Sequence, residues 1–278
     1  MVYSCPVCEL PLQNFAKYVG CINQHVFDKS KQGYINLLLS NQKKSLQPGD
    51  NADMVKSRLQ FLQNGFYEPI AKHLGVILQK HLANQANIVD IGCGVGYYLA
   101  YLKEYLTTLD LQHAFYGVDI SKEAIHCAAQ KYKSISWSVG SALHLPYLPA
   151  SIQCALLVFA PFYLESLEKV LSPGAKVFIV TPNDDHLIEM RQILFEEVQI
   201  KEEDKVLEKV KPLLQLTEVQ PLKYTITLKT KEDIENLLKM TPFYWRVSQI
   251  NKEKLLSLNE LKITIDVNIW CFEKILNL

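Results

Sequence analysis

Four residues near the start of the chain have side chains and spacing suited to holding a metal ion. Cys5 and Cys8 form a CxxC pair, and Cys21 and His25 form a second pair after twelve intervening residues. Thiolate and imidazole groups in two close pairs are typical of a tetrahedral structural zinc site, which leaves no open position for catalysis. A segment of about 30 residues buries too little apolar surface to fold unaided, so the metal would supply folding free energy. The alternatives are incidental thiols or a redox pair, but a redox CxxC is expected near a βαβ unit and this one precedes any such pattern.

A second candidate site is a glycine-rich loop between a predicted strand and a predicted helix. The sequence from Val89 to Tyr98 is VDIGCGVGYY, with glycines at positions 92, 94 and 96. Glycine allows a tight turn and lets a ligand approach the backbone closely. Asp119, 23 residues after Gly96, ends the next predicted strand, where a carboxylate can accept hydrogen bonds from a ribose diol. The loop therefore predicts a nucleotide-type cofactor, and a merely structural turn is the alternative.

The spacing of the glycines separates two classes of cofactor. Dinucleotide sites favour GxGxxG, with the pyrophosphate at the helix N-terminus. Here the spacing is GxGxG, and an acid, Asp90, precedes it. This form resembles the first motif of class I S-adenosylmethionine-dependent methyltransferases, whose cofactor has no phosphate. The segment 141–146 also looks like the loop that covers the adenine in that superfamily.

Alternating strands and helices are expected to position this loop. From residue 87 onward β-rich runs alternate with helical runs, which predicts βαβ units and a parallel sheet covered on both faces. The predicted strands are Ile88–Gly92, Ala114–Ile120, Ile135–Gly140, Gln153–Ala160, Lys176–Thr181 (after a turn at Pro173 and Gly174) and a final strand, Ile263–Ile275. The predicted helices are Met54–Leu82 with a break near Gly65 or Pro69, Tyr97–Leu109, Lys122–Lys131, Leu164–Leu171, Leu187–Lys211 and Lys231–Met240.

Composition is that of an ordinary globular protein. Of 278 residues, 49% are hydrophobic and 21% are charged, which excludes a disordered, collagen-like or coiled-coil chain. Lysine plus arginine and aspartate plus glutamate both total 29, so any nucleic-acid binding must depend on local charge. The longest apolar run, Cys154–Leu164, has 11 residues, too short to cross a membrane. Because no signal peptide is visible, we expect the seven cysteines to be reduced and the location to be cytoplasmic.

The order of motifs along the chain resembles that of the RlmA family of large-subunit ribosomal RNA guanine-N1 methyltransferases. The segments that carry the resemblance are CPVC, CINQH, VFD, GYINLL, PGD, FYEPI, VDIGCGVGYY, GVDIS, LP, TP, DHL and MTPFYWR. They extend from Cys5 to about Asn268 and are weakest between Gln199 and Thr227. The resemblance implies an α/β class I (Rossmann-like) S-adenosylmethionine-dependent methyltransferase fold with a small N-terminal zinc-binding module. It implies methylation of N1 of one guanine in a hairpin of 23S rRNA, and a homodimer is a further expectation for the family.

The motifs and the resemblance together predict a division of the chain and a set of contacts. We expect a zinc-binding module at residues 1–36, a linker and helical segment at 37–84, and a Rossmann-like methyltransferase domain at 85–278. Zinc is assigned to Cys5, Cys8, Cys21 and His25. The cofactor-binding residues are Tyr67, Asp90, Gly92, Gly94, Val95, Gly96, Asp119 and His186. Of these, Tyr67 and His186 come from the resemblance alone, since a tyrosine on an amphipathic helix and a lone histidine after a strand would each be interpreted as structural.

The reaction itself sets two further requirements. Methyl transfer from a sulfonium depends mainly on in-line positioning, but guanine N1 carries a proton that must be removed. Candidate bases near the strand ends are Asp184, Asp185 and His144, and a preorganised environment is the alternative, so the sequence singles out no base. Because N1 lies on the pairing edge, the target must be unpaired or turned out of its stack.

Local charge places the expected RNA attraction near the N-terminus. Residues 1–58 contain seven lysines and arginines against four acids, a net charge of +3, so the remainder carries −3. We therefore predict that the zinc module contributes to recognition of large-subunit rRNA, although a solvated surface would have a similar composition. The alternatives are a methyltransferase acting on another RNA or a small molecule, and a non-catalytic zinc-dependent RNA-binding factor.

Overall fold

The chain begins with a small antiparallel sheet in the computed structural model, which describes residues 1–43, 48–83, 85–196 and 204–275. Its strands are β1 (Gln13–Asn14), β2 (Tyr18–Gly20) and β3 (Val26–Asp28), with β2 in the middle. Strands of two or three residues cannot enclose a core of their own, so this sheet must be stabilised by other contacts.

An eight-stranded mixed sheet follows. Its strands in chain order are β4 (Ile35–Asn36), β5 (Asn87–Ile91), β6 (Ala114–Asp119), β7 (Ser136–Val139), β8 (Ile152–Val158), β9 (Leu171–Pro182), β10 (Leu214–Leu228) and β11 (Leu261–Lys274). Their spatial order is β10-β11-β9-β8-β5-β6-β7-β4. The six strands from β9 to β4 are parallel, β11 pairs antiparallel with β9, and β10 pairs antiparallel with β11. The predicted parallel α/β sheet is confirmed, with an antiparallel extension at one edge.

Helices connect the strands and cover the sheet. They are α1 (Ala52–Gln63), α2 (Glu68–His81), α3 (Tyr97–Thr108), α4 (Lys122–Lys131), α5 (Leu164–Val170), α6 (Ile188–Leu194), α7 (Asp204–Val210), α8 (Lys231–Lys239) and α9 (Gln249–Leu256), with 3-10 turns at Ser40–Gln42 and Pro242–Trp245. The predicted break between α1 and α2 is confirmed, because Gly65 has a φ of +78° and Pro69 lies in the first turn of α2. No described helix is both long enough and apolar enough to cross a membrane.

The sheet separates two apolar cores. Ile88 and Val89 are neighbours in β5 and point to opposite faces, as strand geometry requires. Ile88 joins the core that contains Leu74 of α2 and Leu99 of α3. Val89 joins the core that contains Leu167 of α5 and residues of the N-terminal sheet.

The N-terminal segment packs directly on the second core. The Tyr3 ring stacks on that of Tyr147 with centroids 5.4 Å apart, and the Ser4 amide donates to the Pro146 carbonyl at 3.0 Å. In addition, β4 pairs in parallel with β7 and forms one edge of the large sheet. The first 36 residues therefore share a sheet and a core with the rest of the protein, while the division of the chain at residues 36 and 84 stays a prediction.

Three parts of the chain differ from the sequence-based expectation. Strand β9 begins at Leu171 and includes Pro173 and Gly174, where a turn was expected before a strand at Lys176. The expected helix from Leu187 to Lys211 contains two separate described helices, α6 and α7, and residues 197–203 lie outside the described part. Strand β10, which forms the other edge of the sheet, was not anticipated; about half of its 15 residues are polar, and only its two end residues, Leu214 and Leu228, are buried.

Candidate functional site

The four predicted zinc ligands converge at one point. The Sγ atoms of Cys5 and Cys21 lie 3.5 and 3.4 Å from His25 Nδ1, and the Sγ atoms of Cys8 and Cys21 lie 3.6 Å apart. All four ligand atoms lie within 4.8 Å of one another. Bonds of about 2.3 Å to sulfur and about 2.1 Å to nitrogen would place tetrahedral ligand atoms roughly 3.5–3.8 Å apart. The donor set and the spacing therefore fit a closed tetrahedral zinc site, as predicted.

Two tight turns present these ligands. The Glu9 amide donates to the Cys5 carbonyl at 2.7 Å, and the Gln24 amide donates to the Cys21 carbonyl at 3.0 Å. Both Glu9 and Gln24 have a φ of +62°, a left-handed conformation that costs about 1 kcal/mol or more for residues other than glycine. Metal binding would offset this local strain, because the metal fixes both turns at once.

The glycine-rich loop joins the end of β5 to the start of α3. All three of its glycines have positive φ, with values of +73° at Gly92, +51° at Gly94 and +77° at Gly96. A Cβ on Gly92 would lie 2.7 Å from Ala160 Cβ, and one on Gly96 would lie 2.5 Å from the Trp137 ring. Of the three, only Gly94 has space on the ligand side, because the nearest atom to a Cβ added there would be Arg58 Cδ, at 3.5 Å. A side chain at Gly96 would collide with Trp137, and the assignment of all three glycines as ligand contacts stays a prediction.

A cavity of about 320 Å³ lies at the carboxyl ends of β5, β6, β7 and β8, where parallel sheets bind ligands. Five of the predicted cofactor-binding residues form part of its wall, namely Asp90, Gly92, Gly94, Val95 and Asp119. Gly140, Ser141 and Ala142, at the end of β7, line another part of the wall. The segment expected to cover an adenine therefore begins at this cavity.

Asp119 is held in place by backbone donors on both carboxylate oxygens. The Gly94 amide donates to Oδ2 at 2.8 Å and the Ser121 amide donates to Oδ1 at 2.7 Å. Burial raises the pKa of Asp119 above its ordinary value, while these two amides act to lower it. Each oxygen keeps a further lone pair, so the carboxylate can still accept hydrogen bonds from a ligand diol.

Asp90 is buried without a hydrogen-bond partner. Its exposed fraction is 1%, and neither of its oxygens accepts a hydrogen bond within the described chain. Burial raises the pKa of Asp90 to about 8, and the nearby Asp119 carboxylate contributes to the increase. A buried carboxyl group without a partner on the wall of a cavity is suited to a cationic ligand group, because such a group would stabilise the charged form. S-Adenosylmethionine carries an ammonium and a sulfonium, so the residues present fit this cofactor.

Tyr67 and His186 lie behind the cavity wall rather than on it. The His186 Nδ1 atom accepts from the Asp266 amide at 3.3 Å, so the proton of the neutral ring lies on Nε2, which faces Tyr67 Oη at 3.5 Å. Both rings pack against Phe159, with centroids 6.0 Å away for Tyr67 and 5.6 Å away for His186. Phe159 lines the cavity, is 40% exposed and has a φ of +53°. Tyr67 and His186 therefore contact the cavity through the Phe159 ring, and their assignment to cofactor binding stays a prediction.

Residues that the sequence did not single out cover the cavity from the side of α1. Asp50, Arg58 and Met240 all line it. The Ser121 hydroxyl donates to the Asp50 carbonyl at 2.7 Å, and this contact fixes the loop before α1 against the end of β6. Nothing in the local sequence marks these residues as functional, since they meet only through tertiary packing.

None of the three candidate bases forms part of the described cavity wall. His144 and Asp184 are exposed, and Asp185 forms a surface ion pair with Lys223 at 2.5 Å. The identity of a group that removes the N1 proton therefore stays a prediction.

Comparisons with known proteins agree with this geometry. The family model of the RlmA N-terminal zinc ribbon matches residues 3–46, and a methyltransferase domain model matches residues 88–178. The chain is 31% identical over 246 residues to the 23S rRNA (guanine(748)-N(1))-methyltransferase of Streptomyces fradiae, covering 87% of this chain and 85% of that protein. It is 26% identical over 277 residues to YxjB of Bacillus subtilis strain 168, covering 96% and 95% of the two chains.

The fold, the cavity and the zinc ligands define an S-adenosylmethionine-dependent methyltransferase with an N-terminal zinc ribbon. Within that class, the identity to the Streptomyces fradiae enzyme over most of both chains shows that this chain belongs to the family of 23S rRNA (guanine-N1)-methyltransferases. The family resemblance noted from the motifs is thereby confirmed.

Proposed function

We propose that this protein transfers a methyl group from S-adenosylmethionine to N1 of a guanine in a hairpin loop of 23S rRNA. The observation that carries the proposal is the similarity to a 23S rRNA (guanine(748)-N(1))-methyltransferase, which extends through both the zinc ribbon and the methyltransferase domain. A free metabolite as substrate would give no role to the zinc ribbon, which is built into the edge and the core of the large sheet.

In this proposal the cavity residues have separate roles toward the cofactor. S-Adenosylmethionine supplies the electrophilic methyl group when it is bound. Asp119 would accept hydrogen bonds from the ribose diol, and the Asp90 carboxylate would face the ammonium group. The backbone of Gly94 and Val95 would allow close approach, because Gly94 has space on its ligand side.

The target guanine would approach on the open side of the cavity. Phe159 and Tyr163 both line the cavity and are 40% and 39% exposed. Exposed aromatic rings stack on unpaired bases, at about 1–3 kcal/mol per base. The left-handed backbone at Phe159 is the kind of strain found at functional sites, and the Tyr67 and His186 rings hold its side chain from behind. These two aromatic residues would therefore orient the extruded base for in-line transfer.

RNA recognition would involve the zinc ribbon. Phe15 is 41% exposed and stacks on Tyr18 with ring centroids 4.6 Å apart. Lys17 and Lys29 adjoin strands β2 and β3, where the Lys29 amide donates to the Lys17 carbonyl at 2.9 Å and Lys29 Nζ donates to the Phe15 carbonyl. Lysine attracts the phosphate backbone and an exposed ring can stack on a base, so this face has the chemistry of a single-stranded RNA contact.

Two wider features belong to the same proposal. A homodimer would bring two zinc ribbons to one large RNA, and sedimentation equilibrium would then give twice the chain mass of 31.8 kDa. We also propose the cytoplasm as the location, because an rRNA substrate is expected there.

Primer extension on unmodified 23S rRNA tests the reaction, the substrate and the position together. Methylation at N1 blocks base pairing, so reverse transcriptase should stop one nucleotide before a hairpin guanine only when protein and S-adenosylmethionine are both present. Asp119→Ala, which removes the proposed acceptor for the ribose diol, serves as the negative control and should greatly weaken the stop. A cofactor-dependent stop outside a guanine, or transfer of labelled methyl groups to small molecules with none to RNA, would contradict the proposal.

A further inference from the structure

Negatively charged side chains outnumber positively charged ones around the cavity. Among the described residues that line it, the carboxylates belong to Asp50, Asp90 and Asp119, and the single cationic side chain is Arg58. The cofactor has the opposite balance of charge, since it carries two cationic groups and one carboxylate. An arginine in this position is therefore complementary to the one anionic group of the cofactor.

Arg58 extends from α1 over the middle of the glycine loop. Its Cδ atom would lie 3.5 Å from a Cβ on Gly94, the residue whose amide donates to Asp119. The Arg58 side chain is 26% exposed, so it is partly shielded from water while remaining open to a ligand. A charged hydrogen bond gains strength in such a setting, because the effective dielectric constant is lower than in bulk water.

The existing contacts of Arg58 hold the guanidinium in place but leave part of it free. Its Nε donates to Asp50 Oδ2 at 2.8 Å, and its Nη2 lies 2.8 Å from the same oxygen and 3.2 Å from the Met240 carbonyl. Within the described chain, Nη1 makes no hydrogen bond. The guanidinium can therefore donate to a second carboxylate while it keeps its hydrogen bond to Asp50.

We propose that Arg58 binds the carboxylate of the methionine moiety of S-adenosylmethionine, with Asp50 orienting the guanidinium. Asp90, whose buried oxygens have no partner in the described chain, takes the ammonium of the same moiety. Arg58 and Asp90 thus bind the carboxylate and the ammonium of the methionine moiety, respectively, while Asp119 binds the ribose. This inference rests on the proposed placement of the cofactor in the cavity.

A pair of ligands that differ only in the carboxylate isolates the contribution of Arg58. Isothermal titration calorimetry would compare S-adenosylmethionine with decarboxylated S-adenosylmethionine on the wild type, Arg58→Ala, Arg58→Gln and Lys56→Ala. The wild type should prefer the intact cofactor by about 10- to 100-fold, as expected for one charge-assisted pair. Arg58→Ala and Arg58→Gln should lose that preference while binding the decarboxylated form about as tightly as the wild type does. Lys56, exposed on the same helix, is the charge-matched control and should keep the full preference.

Other outcomes would overturn the inference in distinguishable ways. If both ligands bound equally more weakly to the Arg58 variants, Arg58 would only stabilise the packing of α1 against the segment at Met240. An unchanged preference, accompanied by weaker binding of a 23S rRNA hairpin, would mean that Arg58 contacts phosphate instead. If neither ligand bound the wild type, the proposed cofactor site itself would be wrong. The zinc content and thermal midpoint of each variant show that it is folded, and Arg58→Gln retains most of the side-chain length if Arg58→Ala is unstable.

Discussion

The Asp119 carboxylate accepts a hydrogen bond from the Gly94 amide at 2.8 Å, which ties the end of β6 to the centre of the glycine loop. The same carboxylate accepts from the Ser121 amide at 2.7 Å, at the start of α4. One side chain thus fixes the loop, the strand end and the next helix relative to one another. A ligand bound through Asp119 would meet a site whose parts are already in position.

Replacement of Asp119 should separate cofactor binding from zinc binding. In Asp119→Ala the Gly94 and Ser121 amides lose their acceptor, at a cost of about 1–3 kcal/mol in stability. The ribose diol would lose its acceptor too, so we expect the Kd for S-adenosylhomocysteine to rise about 10- to 100-fold, measured by calorimetry. Zinc should remain at one ion per chain, and Glu104→Ala, an exposed acid on α3, should bind the ligand normally. An unchanged Kd in Asp119→Ala would contradict the assignment.

The buried Asp90 should make both stability and cofactor affinity depend on pH. Because its pKa in the folded protein is about 8 and its ordinary value is 3.8, the folded state keeps a proton that the unfolded state loses between these values. The contribution of Asp90 to the free energy of unfolding therefore falls as the pH rises from about 4 to about 8, and it levels off above that.

Cofactor binding should have the opposite trend, since the ammonium group favours ionised Asp90. Affinity for S-adenosylhomocysteine should rise between pH 6 and pH 8, by at most about tenfold per pH unit, with release of a proton on binding. Calorimetry in buffers of different ionisation enthalpy measures that proton. In Asp90→Asn the slope should disappear, and the free protein should be more stable than the wild type at pH 8. The same slope in the variant would assign the proton to another group.

The structure distinguishes two glycines whose φ values are similar but whose surroundings are not. Gly96 has a φ of +77° and Trp137 2.5 Å from the position of a Cβ, whereas Gly33 has a φ of +93° and nothing within 4 Å. The free energy of unfolding should therefore fall in Gly33→Ala only by the cost of the left-handed backbone, about 1–2 kcal/mol. In Gly96→Ala the free energy of unfolding should fall by a further 1–3 kcal/mol, roughly, because the new methyl group clashes with the Trp137 ring. Urea unfolding measures both, and equal losses would show that Trp137 can move aside without cost.

Local patterns predicted the elements whose residues carry their own signal. Helix α4 occupies the predicted residues, Lys122–Lys131, because Ser121 caps its N-terminus and its apolar residues recur at helical spacing. The zinc ligands were also predicted from spacing alone, since metal geometry restricts the four residues directly. Strand β10 was missed because it lies at the sheet edge, where half-exposed polar residues and Pro221 are tolerated.

The wall of the cavity was only partly predictable. Asp90 and Asp119 are the last acidic residues of the buried strands β5 and β6, so their place at the carboxyl ends of these strands follows from the sheet. Arg58 and Met240 are 182 residues apart in sequence and meet over the cavity only because α1 packs against α8. Such a contact has no local signal, and Tyr67 and His186 were named only through the family resemblance for the same physical reason.

Loss of the zinc site should affect RNA binding while sparing the cofactor. Cys8→Ser removes one of four ligands, so zinc should fall from one ion per chain to near zero in metal analysis. The turns at Glu9 and Gln24 would then lose the metal that offsets their strain, and the thermal midpoint should fall. Affinity for a 23S rRNA hairpin should decrease at least about tenfold if the ribbon supplies a few of the contacts.

The cofactor site should respond much less to the same change. No described residue before Gly49 lines the cavity, so the Kd of Cys8→Ser for S-adenosylhomocysteine should stay within about threefold of the wild-type value. Cys127→Ser is the matched control, because Cys127 is a half-buried free thiol outside the metal cluster and should leave zinc, RNA binding and cofactor binding unchanged. If rRNA methylation persisted at the wild-type rate in zinc-free Cys8→Ser, the ribbon would have no part in recognition, and the contacts to RNA would have to come from the methyltransferase domain.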